Sequence, residues 1–240
     1  MSHLKSILKN GFFPHYCLEY TFNPADRLAA AKAHPPMRAM PLISFCDLPL
    51  SLIRKHLEEY GHFGIGLHKN WGIRNGVAPV LYTHQLARTR QPLSRLATKA
   101  ARTSDRRAAS DLELLVAYTK PFEGPAWRNN RTQKKVRFYD EREWRYVPGV
   151  EGDEKQFLTQ EDYNNTTKRN KLQKRLKKQN ALPIHPGDIQ YLIVPYDKNE
   201  TNVLRLHDYL MRLYVRHYSR KDAILVTTAI MTDDCIQDDI

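Results

Sequence analysis

At 240 residues the chain is long enough to bury a real core, as one large domain or two small ones. Its composition, 41% hydrophobic and 27% charged, is that of an ordinary soluble globular protein, and no apolar run is long enough to insert into a bilayer. The formal charge of +12 favours nucleic acid or another polyanion as partner, with an anionic membrane surface a weaker alternative.

The opening Met1–Lys9 lacks the apolar centre and small-residue cleavage site of a signal peptide. Three cysteines, Cys17, Cys46 and Cys235, are odd in number and far apart, with no CxxC pair. A zinc ribbon or a disulfide scaffold does not fit that spacing, and a reduced, cytoplasmic setting is expected.

In chain order, Leu4–Leu8 reads as a short amphipathic helix ended by Asn10-Gly11. Tyr16–Phe22 reads as extended, and residues 24–33 as helix or loop. Met40–Asp47 reads as a short apolar strand with a polar end. Leu48–Tyr60 has Leu52, Ile53, His56 and Leu57 near one helical face. Gly61 ends it, Phe63–Leu67 reads as a small-residue strand, and His68–Gly72 as a loop. Gly64 and Gly66 lack the third glycine and following helix of a dinucleotide fingerprint, so close backbone packing is the expectation there. Trp71 reads as structural. Ala78–Tyr82 suits a pleated sheet.

Residues 86–110 carry seven Arg or Lys and one acid, and read as a basic helical or mobile insertion leading into an apolar helix at Asp111–Tyr118. A second basic stretch, at about 166–180, holds seven basic residues and no acid. Either could be a solvated helix face; two of them in so basic a chain point to phosphate contacts with nucleic acid. Between them, Phe138–Val147 is aromatic and β-branched and stops at Pro148-Gly149, which predicts a strand. On a strand Glu141 and Glu143 share a face, an arrangement that needs solvent, a cation or a substrate between them. Arg145 falls on that same face, so a structural ion pair is the plain alternative. Ile189–Val194 is a predicted strand, Asn202–Tyr218 a helix and Ala223–Thr228 a final strand, before an acidic tail expected to fray. Strands and helices alternate irregularly, which predicts an α+β or mixed α/β chain, taken as one domain over 1–240.

Three blocks carry a family resemblance: His3-Leu-Lys-Ser-Ile-Leu-Lys-Asn-Gly-Phe; Met40-Pro-Leu-Ile-Ser-Phe-Cys-Asp-Leu-Pro-Leu with His56, Tyr60 and Gly61 downstream; and Glu141-Arg-Glu-Trp-Arg-Tyr-Val. In this order they resemble the AbiGi-type abortive-infection family of phage-defence proteins and, more distantly, ADP-ribosyltransferase toxins of the DarT type. The second resemblance implies an ADP-ribosyltransferase-like split, bent β-sheet sandwich gripping NAD as co-substrate, with basic helical insertions. It implies Glu143 as the catalytic glutamate, Glu141 handling the acceptor, Ser44 and Phe45 lining the nicotinamide pocket, Tyr60 stacking on the ring and His3 touching the adenosine ribose.

Glycosidic cleavage of NAD passes through an oxocarbenium-like state that a carboxylate can stabilise. With that chemistry, the resemblance implies a phage-defence toxin transferring ADP-ribose onto RNA or DNA, with a cognate antitoxin protein as partner. The alternative is a non-catalytic antitoxin or regulatory binding protein of the same kind of system. A metal is not expected: His56 and Tyr60 suit a packed helix face, and no acid or cysteine completes a site with His62.

Overall fold

The computed structural model describes residues 1–20, 37–84, 86–89, 91–93, 95, 105–128, 131–149 and 157–238. The expected helix or loop at 24–33 and residues 90, 94 and 96–104 of the first basic insertion lie outside the described residues. The chain divides into two compact units.

The first unit comprises Met1–Phe12, Leu48–Gly76 and Ala181–Ile240. Helix α1 (Ser2–Asn10) buries Leu4 and Leu8, one turn apart on one face. The expected helix 48–60 divides into a 3-10 turn at Leu50–Leu52 and α2 (Arg54–Tyr60), so Ile53 and Leu57 are buried while Leu52 is exposed. Strand β3 (Gly64–Leu67) pairs antiparallel with β11 (Ile189–Val194), and Gly66 lies against the Tyr191 ring, where an added Cβ would be 2.2 Å from it. That is the close packing expected of this glycine pair.

The expected loop at His68–Gly72 is instead helical. Helix α3 (Lys69–Arg74) buries Trp71, whose indole N–H donates to the Pro183 carbonyl at 3.0 Å. Burying so large a ring outweighs the weak helical tendency of its Gly-containing neighbours.

The expected strand at Ala223–Thr228 is likewise a helix. After α7 (Thr201–His217) comes α8 (Arg220–Thr227), capped by Ser219, whose hydroxyl accepts from the Asp222 N–H at 3.0 Å. The Ser-x-x-Asp spacing is a helix-start signal that the aliphatic run had masked. The strand falls later, at β12 (Ile230–Thr232), parallel to β11, so β11–α7–α8–β12 forms a crossover unit of the kind that parallel strands require. The acidic tail is not wholly frayed: α9 (Asp233–Asp238) starts at a buried Asp233 that accepts from the Tyr196 N–H and pairs with His62.

The second unit comprises Phe13–Asp47 and Val77–Asn180. Its central strand is β2 (Met37–Cys46). One end of β2 pairs with β1 (His15–Tyr20) and with β10 (Leu158–Thr159); Ile43–Cys46 pair with β9 (Glu143–Tyr146), and β9 takes β4 (Ala78–Pro79) on its other edge, all antiparallel. Residues 39–43 of β2 are buried without alternation, because both sheet faces are covered. Met40 and Leu42 pack with Ala117 of α4 (Arg106–Ala117), Val147 and Phe157 on one face. Ala39 packs with Tyr16, Leu158 and Leu176 of α6 (Thr166–Gln179) on the other. A short α5 (Gln160–Asn164) precedes α6.

The expected single strand at Ala78–Tyr82 is two, since β5 (Leu81–Thr83) leaves the sheet to pair parallel with β6 (Thr119–Pro121). A hairpin of β7 (Gly124–Arg128) and β8 (Arg131–Val136) follows. The mixed class is as expected.

Gly11 is fixed by both conformation and space. Its φ of 79° with ψ of −178° is a region open essentially to glycine, and a Cβ there would meet the Leu182 carbonyl oxygen at 2.3 Å. Gly11→Ala should lower the unfolding free energy by at least about 1–3 kcal/mol, measured by urea titration. Gly187→Ala, with open space at its Cβ, should stay within about 0.5 kcal/mol of the parent.

Candidate functional site

The predicted strand Phe138–Val147 does not run unbroken. Phe138–Glu141 is a 3-10 turn, Arg142 is left-handed at φ 44°, and β9 begins only at Glu143. Glu141 and Glu143 therefore do not share a strand face by alternation. They converge all the same, because Lys120 of β6 donates to Glu141 Oε2 at 2.7 Å and to Glu143 Oε2 at 2.6 Å. The cation that a paired carboxylate requires is the chain's own lysine, set over the Phe138 ring at 4.8 Å.

The register builds the rest. Paired residues across antiparallel strands share a face, so Glu19 of β1, Ser44 and Cys46 of β2, and Glu143 and Arg145 of β9 all lie on one side of the sheet. Arg145 is completely buried. Its Nε donates to Glu143 Oε1 at 2.6 Å, its Nη2 to Glu143 Oε2 at 3.1 Å and Glu19 Oε2 at 2.7 Å, and its Nη1 to the Ala117 carbonyl at 2.8 Å. The Ser44 hydroxyl donates to Glu143 Oε1 at 2.7 Å, and the Glu143 N–H donates to the Tyr82 hydroxyl at 2.9 Å.

Counted at its acceptors, Glu143 receives two hydrogen bonds on each oxygen, the capacity of a carboxylate. A ribose hydroxyl would have to displace one of these donors, so the residues present do not hold an open acceptor for NAD at this carboxylate.

Electrostatics agree with the geometry. Burial alone would raise the Glu143 carboxyl, but the charges of Arg145 and Lys120 and the hydrogen bonds from both hold it down at about 2. Burial would lower Lys120, and Glu19, Glu143 and Glu141 outweigh it, so the ammonium titrates above its ordinary value. Cys17, beside the network, is pushed up to about 12 by burial and by Glu19, so its thiol is no nucleophile near neutrality.

Of the residues singled out from sequence, Glu143, Glu141 and Ser44 come together, and Phe45 sits opposite Trp144 on the other face of the same strands. Tyr60 and His3 belong to the first unit, Tyr60 half exposed on α2 and stacked on His56 at 4.4 Å, His3 exposed on α1. Sequence reasoning missed Glu19, Tyr82 and Lys120. No local spacing marks them: Glu19 and Lys120 are 126 and 25 residues from Arg145 in the chain, and only the sheet brings them near it.

Breaking one side of such a buried pair strands the other charge. Glu143→Gln should cost about 3–5 kcal/mol of stability, read from the urea midpoint; an unchanged midpoint would remove the network from the core. Because the folded carboxyl is depressed, its contribution is complete above the ordinary value near 4.5 and fades as pH falls towards about 2. Acid titration of the parent should show loss of stability in that window, and the variant should lack that component.

The family described as "Putative abortive phage resistance protein AbiGi, antitoxin" matches residues 10–195. The chain is 32% identical over 167 residues to the abortive phage resistance protein AbiGi of Lactococcus lactis subsp. cremoris, an alignment covering 61% of this chain and 66% of that relative. No solved structure matches the chain. A family described as antitoxin overturns the expectation of an NAD-dependent ADP-ribosyltransferase. With most of its length matched, this chain belongs to the AbiGi family of abortive phage resistance proteins.

Proposed function

We propose that this chain is the antitoxin of an abortive-infection pair, a non-catalytic protein that binds and restrains a toxin. The description of its family carries this reading. The filled coordination of Glu143 supports it, since a carboxylate with four donors serves a scaffold better than a reaction. On this reading Glu143 and Glu141 hold the sheet rigid, and rigidity lets a surface bind without ordering costs.

The binding face is assigned to Leu81, Leu114 and Leu115, which stand exposed on β5 and the last turn of α4 within the family-matched region. The two segments are joined where the Leu81 N–H donates to the Tyr118 carbonyl at 2.7 Å. Exposed leucines on two segments tied by a backbone hydrogen bond suit the apolar centre of an interface.

Produced alone, the chain should leave host growth unchanged; produced with the toxin of its own system, it should restore growth. Leu115→Asp should weaken the complex at least about 30-fold in a titration, the effect of losing a central apolar anchor, with the thermal midpoint unmoved. Growth arrest by the chain alone, or failure of a folded parent to rescue, would sink the reading.

A further inference from the structure

We infer that the outward face of α6 docks on the phosphate backbone of duplex DNA through Lys171, Lys174 and Lys178. The helix is fixed from behind. Leu172 and Leu176 pack against Tyr16, Leu18 and Tyr163, Gln173 donates to the Pro14 carbonyl at 2.7 Å and accepts from the Tyr16 N–H, and Arg169 lies over the Tyr163 ring. At about 100° per residue these groups centre on one side of the helix, and Lys171, Lys174 and Lys178 fall within roughly 60° of arc directly opposite. The anchoring contacts therefore dictate which side faces water.

Not every cation of α6 is available. Lys168 pairs with Asp162 at 2.7 Å, and Lys177 lies over the Phe13 ring. Lys171, Lys174 and Lys178 are exposed and take part in no described ion pair. The helix has no acid to balance them.

The chemistry of the stripe selects its occupant. Protein interfaces are depleted of lysine and depend on apolar or aromatic anchors, and Thr167 is the neutral residue on this face. Single strands need aromatic rings on which bases stack, and none faces outward here. Duplex RNA is recognised by its A-form shape, through 2′-hydroxyl and phosphate contacts over about 16 base pairs, a span that one short row of lysines does not reach. A row of point cations matches the phosphates of a DNA duplex. From Lys171 to Lys178 the row spans about 10 Å of helix axis, the axial length of about three successive nucleotides of one strand. This inference goes beyond the toxin-binding reading and does not rest on it.

The test is fluorescence anisotropy of the full chain with a labelled 20-base-pair DNA duplex at about 50 to 200 mM salt. Affinity should fall with salt, and Lys171→Ala/Lys174→Ala/Lys178→Ala should weaken binding and flatten the slope of log affinity against log salt by about 2.7, for three contacts at roughly 0.9 each. A control of equal charge change on other elements, Lys55→Ala/Lys198→Ala/Lys221→Ala, should leave both nearly as they were. Circular dichroism should show both variants folded. Equal losses in the two variants, an unmoved slope in the helix variant, or tighter binding of an RNA duplex of the same length would each overturn the assignment.

Discussion

A guanidinium with no exposure at all is the constraint around which the second unit is organised. Removing Arg145 from water is expensive, and attraction to a single carboxylate does not by itself recover the loss. The sheet meets this cost by surrounding the group with acceptors: both oxygens of Glu143, one of Glu19 and the Ala117 carbonyl. Each comes from a different part of the chain, so β1, β9 and the end of α4 hold their places together or not at all. Lys120 extends the same logic to β6 and to the turn carrying Glu141, and Ser44 ties in β2.

Buried polar networks of this sort are stable only when every member is satisfied. That requirement explains why the turn before β9 is so contorted. Arg142 takes a left-handed conformation, unfavourable for a residue with a Cβ, and the chain reverses in time for Glu141 to approach Lys120 from outside the sheet. An unbroken strand would instead set the two carboxylates about 7 Å apart along one face.

The network also bears on the charge the protein shows its surroundings. Glu19, Glu141 and Glu143 are spent against Lys120 and Arg145 inside the fold. The network sets three carboxylates against two cations, so it carries an excess of one negative charge and each cation is held by more than one acid. On α6 the described cations meet no acid of their own helix, and the packing face turns Lys171, Lys174 and Lys178 outward. The two surfaces proposed for binding differ in chemistry, leucines around α4 and lysines on α6, and so suit different ligands.

Periodicity and punctuation determined much of this fold without any structure: α1 with its glycine stop, the central strand β2, and the strand–helix pair β11 and α7 all follow from patterns within a dozen residues. The ion pair of Glu143 with Arg145 was legible too, as the plain alternative that opposite charges two residues apart on a strand present. What the sequence could not contain was the partner set. Lys120, Glu19 and Tyr82 look ordinary in their own neighbourhoods, and sheet register alone delivers them to one carboxylate. Tertiary structure likewise decided that Trp71 lies in a helix, because burial of its ring outweighs local preferences worth about 1 kcal/mol per residue or less, whereas the Ser219-x-x-Asp222 cap already marked the helix around Ala223. Whether a carboxylate is free to react or already bonded is a property of its surroundings in space, and chain order carries no record of that.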